Sequence, residues 1–422
     1  MSALFLKLKM IGRDSGLRNR LLFIVGILTL FRVGATIPIP GVDRAVLVNI
    51  LDNQFFGLLN IFSGGGLSNL SIMMLGVGPF ITAAIIMQLS TVVSSRMKEM
   101  YHEEGEAGRQ KFNQYSRLLT VPLAILQAVG LLVLLQREGF LPDLVGWQLI
   151  SSVIIVAAGS ILLMWLGEQI SQYGIGNGVS ILIFAGIVAS LPSTIYQVII
   201  TFDPAQLPIY LGFTVAAVAI VGGVVAVTEA ERPIPITYSR SIRGQRSAAG
   251  IATYLPIRLN NAGVMPIIFA LSILLFPQML VNLLGEASSS VAQTVVMWLE
   301  MFVNNMWLYG AFYFALVFAF TFFYSAITFE PNKVATNLQK SGAYVPGIRP
   351  GQTTANYIAG IVARLTFIGA VFLGFIAVLP FIMQSVTGQT ALALGGTGLL
   401  IVVSVTLDLV KKIDAQITMR EY

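Results

Sequence analysis

The side chains best suited to bind a charged partner are arginines and lysines in two long hydrophilic segments, residues 230–259 and 329–356. An arginine guanidinium holds a phosphate or a carboxylate through two parallel hydrogen bonds, and a lysine supplies a point charge. The segments therefore suit docking of a soluble, anionic partner. An alternative is that they only fix the orientation of the chain in a membrane. Their basic residues are Arg232, Arg240, Arg243, Arg246, Arg258, Lys333, Lys340 and Arg349.

Residues for bond-making chemistry are scarce. The chain has no cysteine and a single histidine, so there are no thiolates and no histidine pair for a metal. We interpret His102 as a solvated loop residue. The glycine-rich residues 174–178 lack both the lysine and the strand–helix context of a nucleotide-binding loop. The sequence thus predicts no cofactor, no metal site and no enzymatic activity.

The elements that must position the basic segments are long apolar runs. Apolar residues make up 56% of the 422 residues and charged residues 10%, too few to cover the surface of a soluble domain of this size. A run of about 20 apolar residues crosses a bilayer as a helix. We therefore predict ten spans, at roughly 21–39, 72–94, 117–136, 149–170, 178–199, 206–229, 261–284, 305–328, 357–384 and 391–411.

The distribution of positive charge orients these spans. Of the 25 basic residues, all but Arg32, Arg44 and Arg137 lie on the side that precedes the first span and follows each even-numbered one. Short basic loops stay in the cytoplasm, so an even number of spans predicts that both termini are cytoplasmic. Residues 1–20 are basic and amphipathic and lead into a long first span. This favours an interfacial helix over a cleaved signal peptide.

The ten spans divide into two halves of five. The predicted organisation is an N-terminal half at 1–190, an external loop at 191–206 and a C-terminal half at 207–422. An odd number of spans per half gives the halves opposite orientations, as in the inverted repeats of many transporters. The predicted fold class is an all-α membrane protein with two pseudo-symmetric inverted halves and a re-entrant helix.

The re-entrant helix is predicted between the first two spans, at about 55–68. This segment is apolar but too short to cross, and it ends in a serine and three glycines at 63–66, which break a helix. Irregular backbone at membrane depth is tolerated against protein or a water-filled cavity, so we expect the segment to enter a cavity. A surface-lying amphipathic turn outside the bilayer is the alternative.

Ionisable residues are missing from the middle of the predicted spans, because Arg32, Glu168 and Arg364 all lie near span ends. Ion-coupled transporters usually keep acids or bases at the midplane. The pattern therefore disfavours the runner-up hypothesis, a secondary transporter with inverted repeats. It allows a pore closed by apolar side chains, which excludes water and ions. A structural membrane scaffold is a third hypothesis, and it predicts no conductance in any mutant.

Motifs along nearly the whole chain resemble the SecY family, the channel subunit of the bacterial protein translocon. No single glycine motif is specific, but the set is specific at these spacings. The motifs are NIFSGG at 60–65, GVGPFI at 76–81, MWLGEQI at 164–170, YGIGNG at 173–178, IFAGI at 183–187, NAGVMP at 261–266, KSGA at 340–343, VPGIRPG at 345–351 and GGT at 395–397.

The resemblance implies a channel of two five-helix halves hinged at 191–206. Such a channel opens across the membrane for secreted chains and sideways to lipid for signal sequences and membrane helices. The re-entrant segment matches the family's plug, which blocks the outer funnel when the channel is idle. The implied plug residues are Phe56, Gly57, Leu58, Leu59, Asn60, Ile61, Phe62, Ser63, Gly64 and Gly65.

The resemblance also implies a constriction, and all six matching residues are isoleucine. Two of the helices each contribute an i,i+4 pair, which lies on one helix face. Branched aliphatic side chains can deform around a passing chain and offer it no hydrogen bonds. Without the resemblance, isoleucine in an apolar helix indicates packing. The six are Ile81, Ile85, Ile183, Ile187, Ile268 and Ile401.

A lateral gate is implied between spans two and three on one side and spans seven and eight on the other. Polar residues near that seam are Thr82, Gln88, Asn260 and Asn261. Interhelical hydrogen bonds in membranes contribute roughly 0.6–2 kcal/mol, weak enough for a competing apolar helix to open them. Simple helix–helix association is an equal alternative for these residues.

The two basic segments match the family's docking sites for the ribosome and the SecA motor. Arg349 aligns with the arginine on which motor-driven export depends. The family often has paired basic residues after a glycine in the earlier segment, whereas this chain has Gly244, Gln245 and then Arg246. The implied docking residues are Arg240, Arg243, Arg246, Arg258, Lys340 and Arg349.

The resemblance implies a set of partners and a location. The partners are the SecE and SecG subunits, the SecA motor ATPase, the ribosome, signal sequences and nascent polypeptides, a YidC-type insertase and the lipid bilayer. The location is the inner (plasma) membrane of the cell, with the thylakoid membrane as an alternative.

Overall fold

The computed structural model describes residues 14–40, 56, 59–60, 63–137, 139–142, 146–200, 207–238, 252–284, 290–387 and 390–421. These residues form the helices α1 Ser15–Gly34, α2 Gly78–Val93, α3 Ser95–His102, α4 Gly105–Arg137, α5 Trp147–Tyr173, α6 Gly178–Ile200, α7 Leu207–Glu229, α8 Met265–Leu284, α9 Ser290–Asn304, α10 Met306–Thr328, α11 Pro331–Lys340, α12 Gln352–Thr387 and α13 Thr390–Glu421. The strands are β1 Glu231–Tyr238, β2 Ala252–Arg258 and β3 Ala343–Tyr344.

Each of the ten predicted spans falls on one of these helices. In the part of the chain that the structure describes, five helices are long and apolar enough to cross a membrane. A sixth span results if α2 and α3 are counted as one bent element, since they meet at 113°. The backbone of Ser94 is extended at this bend (φ −116°, ψ 118°), which ends α2. The predicted helical membrane fold is confirmed.

A small sheet adds to the helical fold and was not predicted. The antiparallel strands lie in the order β2-β1-β3, with Glu231 opposite Arg258 and Thr237 opposite Tyr344. The hairpin β1–β2 comes from the first basic segment, and α11 and β3 come from the second. The two segments, about 100 residues apart in sequence, are therefore parts of one folded body.

The loop predicted at 191–206 is corrected for its first ten residues. Helix α6 continues to Ile200, with Pro192 inside it. Proline usually ends a helix, because it lacks an N–H and crowds the preceding turn. It is tolerated in membrane helices, where neighbouring groups satisfy the freed carbonyl. Residues 201–206 lie outside the described residues, and the hinge role stays a prediction.

Packing divides the chain into two compact units. One comprises Met1–Thr214, Leu271–Tyr309 and Pro380–Tyr422, and the other comprises Val215–Ala270 and Gly310–Leu379. The boundaries differ from those of the predicted halves, so the division at 1–190, 191–206 and 207–422 stays a prediction. The predicted plug, α2 and α6 lie in the first unit, and the sheet lies in the second.

Candidate functional site

The described part of the predicted re-entrant segment is packed into the core of the first unit. Phe56 is 1% exposed and meets the ring of Phe140 edge-on, with 5.8 Å between the ring centroids. Leu67 and Leu70 are fully buried. They belong to one apolar cluster with the last turns of α4 and the first turns of α5. This burial argues against a turn that lies on the surface.

The segment ends in a capped helical turn. The amide of Ser63 donates to the carbonyl of Leu59 at 2.9 Å, and the amide of Gly65 donates to the carbonyl of Asn60 at 2.9 Å. Gly64 between them has φ +64°, a conformation that favours glycine. This is a Schellman-type end, in which the chain turns sharply away from the helix axis. The glycines therefore fix where the helical turn stops.

Three groups from other helices surround Gly64. Nη1 of Arg32 in α1 donates to the carbonyl oxygen of Gly64 at 2.8 Å. A Cβ added to Gly64 would overlap the ring of Phe31 and lie 3.1 Å from the Cα of Gly186 in α6. The end of the segment is thus held between α1 and α6 with no room for a side chain.

Sequence reasoning missed the role of Arg32 in this contact. The signal available was its charge, because Arg32 is one of three basic residues outside the cytoplasmic set of the predicted topology. Four of the ten predicted plug residues lie outside the described residues: Gly57, Leu58, Ile61 and Phe62.

All six predicted constriction residues are buried, each at most 4% exposed. Ile183 and Ile187 lie in α6 on either side of Gly186, the residue that meets the re-entrant segment. A Cβ added to Gly398 in α13 would lie 3.0 Å from Cγ2 of Ile187, so α6 and α13 are in contact there. Core packing would also bury these isoleucines. The pore role of Ile81, Ile85, Ile183, Ile187, Ile268 and Ile401 therefore stays a prediction.

Two of the four predicted gate residues carry a buried oxygen without a hydrogen-bond partner among the described residues. Thr82 accepts a bond from Gln127 in α4 at 3.4 Å and donates to the carbonyl of Gly78 at 3.0 Å. Oε1 of Gln88 and Oδ1 of Asn260 are buried and have no hydrogen-bond partner among the described residues. The amide nitrogen of Asn260 does donate, to the carbonyl of Gly263 at 3.1 Å. Asn261 is half-buried.

The folded basic body, which we call the platform, is defined by β1, β2, β3, α11 and the first turns of α12. Its apolar centre packs residues from β1, β2, α11, α12 and the position after β3 against one another: Ile234, Ile257, Val345, Ile358, Ile361 and Val362, with Val334 and Leu338 beside them. The side chains of Arg258, Lys340 and Arg349 are exposed on it. The other predicted docking residues, Arg240, Arg243 and Arg246, lie outside the described residues.

The turn that carries Arg349 is held by its backbone. The hydroxyl of Thr354 donates to the carbonyl of Arg349 at 2.8 Å, and the amide of Ile348 donates to the carbonyl of Val345 at 3.1 Å. The guanidinium is left to face solvent. Arg258 differs, because its Nε donates to Glu231 across the strand pair at 3.3 Å.

Relatives of the chain decide the family. A family model for SecY matches residues 71–410. The Protein translocase subunit SecY of Halalkalibacterium halodurans is 41% identical over 431 residues, covering 99% of this chain and 99% of that protein. The chain belongs to the SecY family. The subunit of the same name from Synechocystis is 40% identical, covering 97% of this chain and 94% of that protein.

Solved structures share the SecY fold. A structure of a protein-conducting channel superposes with a TM-score of 0.66 at 21% identity, covering 93% of this chain and 90% of that chain. Canine Sec61 in a ribosome–channel complex gives a TM-score of 0.63 at 20% identity over the same shares. As a SecY-family member, the chain is a multi-pass membrane protein and a protein-conducting channel subunit, not an enzyme. The transporter hypothesis is not favoured.

Proposed function

We propose that this chain is the central pore subunit of a Sec translocon in the inner (plasma) membrane. It conducts unfolded secretory polypeptides across the membrane and releases membrane helices sideways to lipid. The observation that carries the proposal is the buried re-entrant segment, whose capped end meets α6 between Ile183 and Ile187. A segment in this place would act as a plug for a pore lined by those isoleucines. Both termini lie in the cytoplasm in this proposal.

The six isoleucines would form the constriction of the pore. An apolar lining offers ions and water no hydrogen bonds, so a narrow ring of this kind excludes them by dewetting. Isoleucine side chains can adapt to a passing chain of any sequence, because the hydrophobic interaction has no preferred direction. The seal of such a ring is imperfect, and the plug supplements it.

The lateral gate would include two side-chain oxygens that make no hydrogen bond among the described residues. The buried acceptors of Gln88 and Asn260 lack partners among the described residues. A buried acceptor without a donor destabilises the state that contains it by about 1–3 kcal/mol. In this proposal, a signal sequence or membrane helix with an apolar surface enters the membrane at the gate.

The platform would dock the SecA motor and the ribosome. Exposed arginines suit both partners, because they bind carboxylates and rRNA phosphates through paired hydrogen bonds. Among structural neighbours, canine Sec61 was solved in a ribosome–channel complex and the yeast Ssh1 complex was solved bound to the 80S ribosome. SecE, SecG and a YidC-type insertase complete the proposed partners.

The plug assignment is tested by replacing residues 57–67 with a Gly/Ser linker of equal length. Because the linker cannot fill the apolar cluster around Phe56, we expect resting proteoliposomes that contain the variant to leak ions. The measurement is single-channel or bulk conductance without substrate, compared with the unaltered chain. A tight seal in the linker variant would contradict the plug assignment.

A further inference from the structure

Arg32 lies at an unusual place for a charged side chain. It is in the last turn of α1, a predicted span, and it is only partly exposed. A charge at membrane depth is unfavourable unless polar groups satisfy it, and such residues commonly have a functional partner. Its partner here is the carbonyl oxygen of Gly64, 2.8 Å from Nη1. We infer that Arg32 is a latch that holds the plug in its closed position. The inference rests on the proposed plug function.

The chemistry of the acceptor favours a cation. Gly64 directly follows a short helical turn, whose carbonyls at Leu59 and Asn60 already accept bonds from the amides of Ser63 and Gly65, and its own carbonyl accepts the bond from Arg32. The C-terminal end of a helix carries partial negative charge and attracts positive side chains. A hydrogen bond from a charged donor is roughly twice as strong as a neutral one. Arg32 therefore binds the backbone at the end of the plug, and the bond does not depend on the plug side chains.

The re-entrant segment is held differently at its tip, Gly64, and at its base, residues 70–72. The base joins the chain after α1 through backbone bonds: the amide of Ile39 donates to Leu70 at 2.9 Å, and the amide of Ile72 donates to Ile37 at 3.0 Å. The tip at Gly64 contacts α1 through Phe31 and Arg32 and contacts α6 through Gly186. One side-chain hydrogen bond can break without unfolding the base. In the proposed latch, the tip moves while the base stays in place.

Changing Arg32 should increase the resting leak. We predict that Arg32→Gln raises the frequency of ion-conducting openings about tenfold, since a hydrogen bond to a charged group stabilises one state by about that factor or more. Arg32→Lys keeps the charge without the planar donor set and should give a smaller increase. The matched control is Arg20→Gln, the same substitution at an exposed position of α1. All variants are compared in proteoliposomes in which export of a substrate shows a folded channel.

A second readout follows the plug itself. The chain has no cysteine, and Ser63 beside Gly64 is 1% exposed. The substitution Ser63→Cys introduces a single thiol. This thiol should react slowly with a membrane-impermeant maleimide applied from the outer face. Combining it with Arg32→Gln should speed the reaction about tenfold, in step with the leak. Combining it with Arg20→Gln should leave the rate unchanged.

The outcomes separate the latch from the plug. A leaky linker variant of 57–67 together with a leaky Arg32→Gln variant supports both. A leaky linker variant with Arg32→Gln as tight and as slowly labelled as the control overturns the latch and leaves the plug standing. A tight linker variant overturns the plug assignment and the latch with it.

Discussion

The re-entrant segment and the platform are both insertions between apolar helices, yet they are held in opposite ways. The segment is buried, and its tip is placed by a close approach of backbone between Gly64 and Gly186. The platform has its own small apolar centre around Ile234 and Ile358 and leaves its arginines in solvent. The segment is therefore held by contacts with α1 and α6, whereas the platform is held by contacts among its own elements. Damage to one should leave the other intact.

The largest effect is expected at the platform surface. Arg349→Glu should abolish motor-driven export, because it places a negative charge where an acidic or phosphate-bearing partner would bind. The backbone of the turn should persist, since Thr354 bonds the carbonyl of residue 349. The assay is ATP-driven export into vesicles, with membrane insertion of the subunit and resting conductance measured beside it. Normal export would refute the docking role, and Arg349→Lys should retain part of the activity.

A large effect on the seal, without loss of docking, is expected at Gly186. In Gly186→Ala the new Cβ would overlap the backbone of Gly64, so the plug tip must shift. Resting conductance should rise while binding of the motor or ribosome stays the same. Gly212→Ala in α7 is the matched control, because a Cβ there meets nothing within 4 Å. Equal conductance of the two variants would show that the Gly64–Gly186 contact does not place the plug.

An intermediate effect is expected in the platform core. Ile234→Ala should destabilise the platform by about 2–5 kcal/mol, the usual range for deleting a buried isoleucine side chain. Hydrogen exchange of β1 and β2 should speed up, and export should fall while the resting seal holds. Tyr254→Ala, at an outward-facing position opposite Pro235, should change exchange little. Loss of the seal in Ile234→Ala would mean that the two regions are coupled.

The smallest effect is expected for the ion pair on the platform. Glu231 and Arg258 are 38% and 49% exposed, and exposed pairs contribute roughly 0–1 kcal/mol. Glu231→Gln should therefore leave hydrogen exchange of the hairpin nearly unchanged, with any difference vanishing at high salt. A marked loss of protection would show that the strand pair depends on this contact more than on Ile234 and Ile257.

The helices at the ten predicted spans were predictable, because a membrane span is a continuous local run of apolar residues. The sheet was not, because Pro233, Pro235 and Pro256 interrupt its strands and proline is unusual in a ladder. A weak signal existed in the alternation of Ile234 and Ile236, which are both buried while their neighbours Pro233 and Pro235 are exposed. The span predicted at 178–199 matches α6, whereas the loop predicted at 191–206 begins too early, because Pro192 lies inside the helix.

The contacts of the site were less predictable than the fold. The bond between Arg32 and Gly64 joins residues 32 positions apart, and the approach of Gly64 to Gly186 joins more distant ones. No local pattern encodes such pairs. The sequence could indicate that these glycines need conformational freedom or space, but not which neighbour requires it. The isoleucines of the predicted pore likewise look like ordinary packing residues in the sequence. Only the family resemblance distinguishes them from other buried isoleucines.

In the proposed function, a polypeptide passes through a pore lined by the predicted isoleucines. The most direct test places single cysteines at Ile85 and Ile268 in this cysteine-free chain and stalls a translocating polypeptide. Val92→Cys in α2, at a position 69% exposed, is the matched lipid-facing control. Crosslinks to the stalled chain from residues 85 and 268, but not from 92, are the predicted result. Labelling of residues 85 and 268 only by lipid-soluble probes would show that these residues do not line the pore.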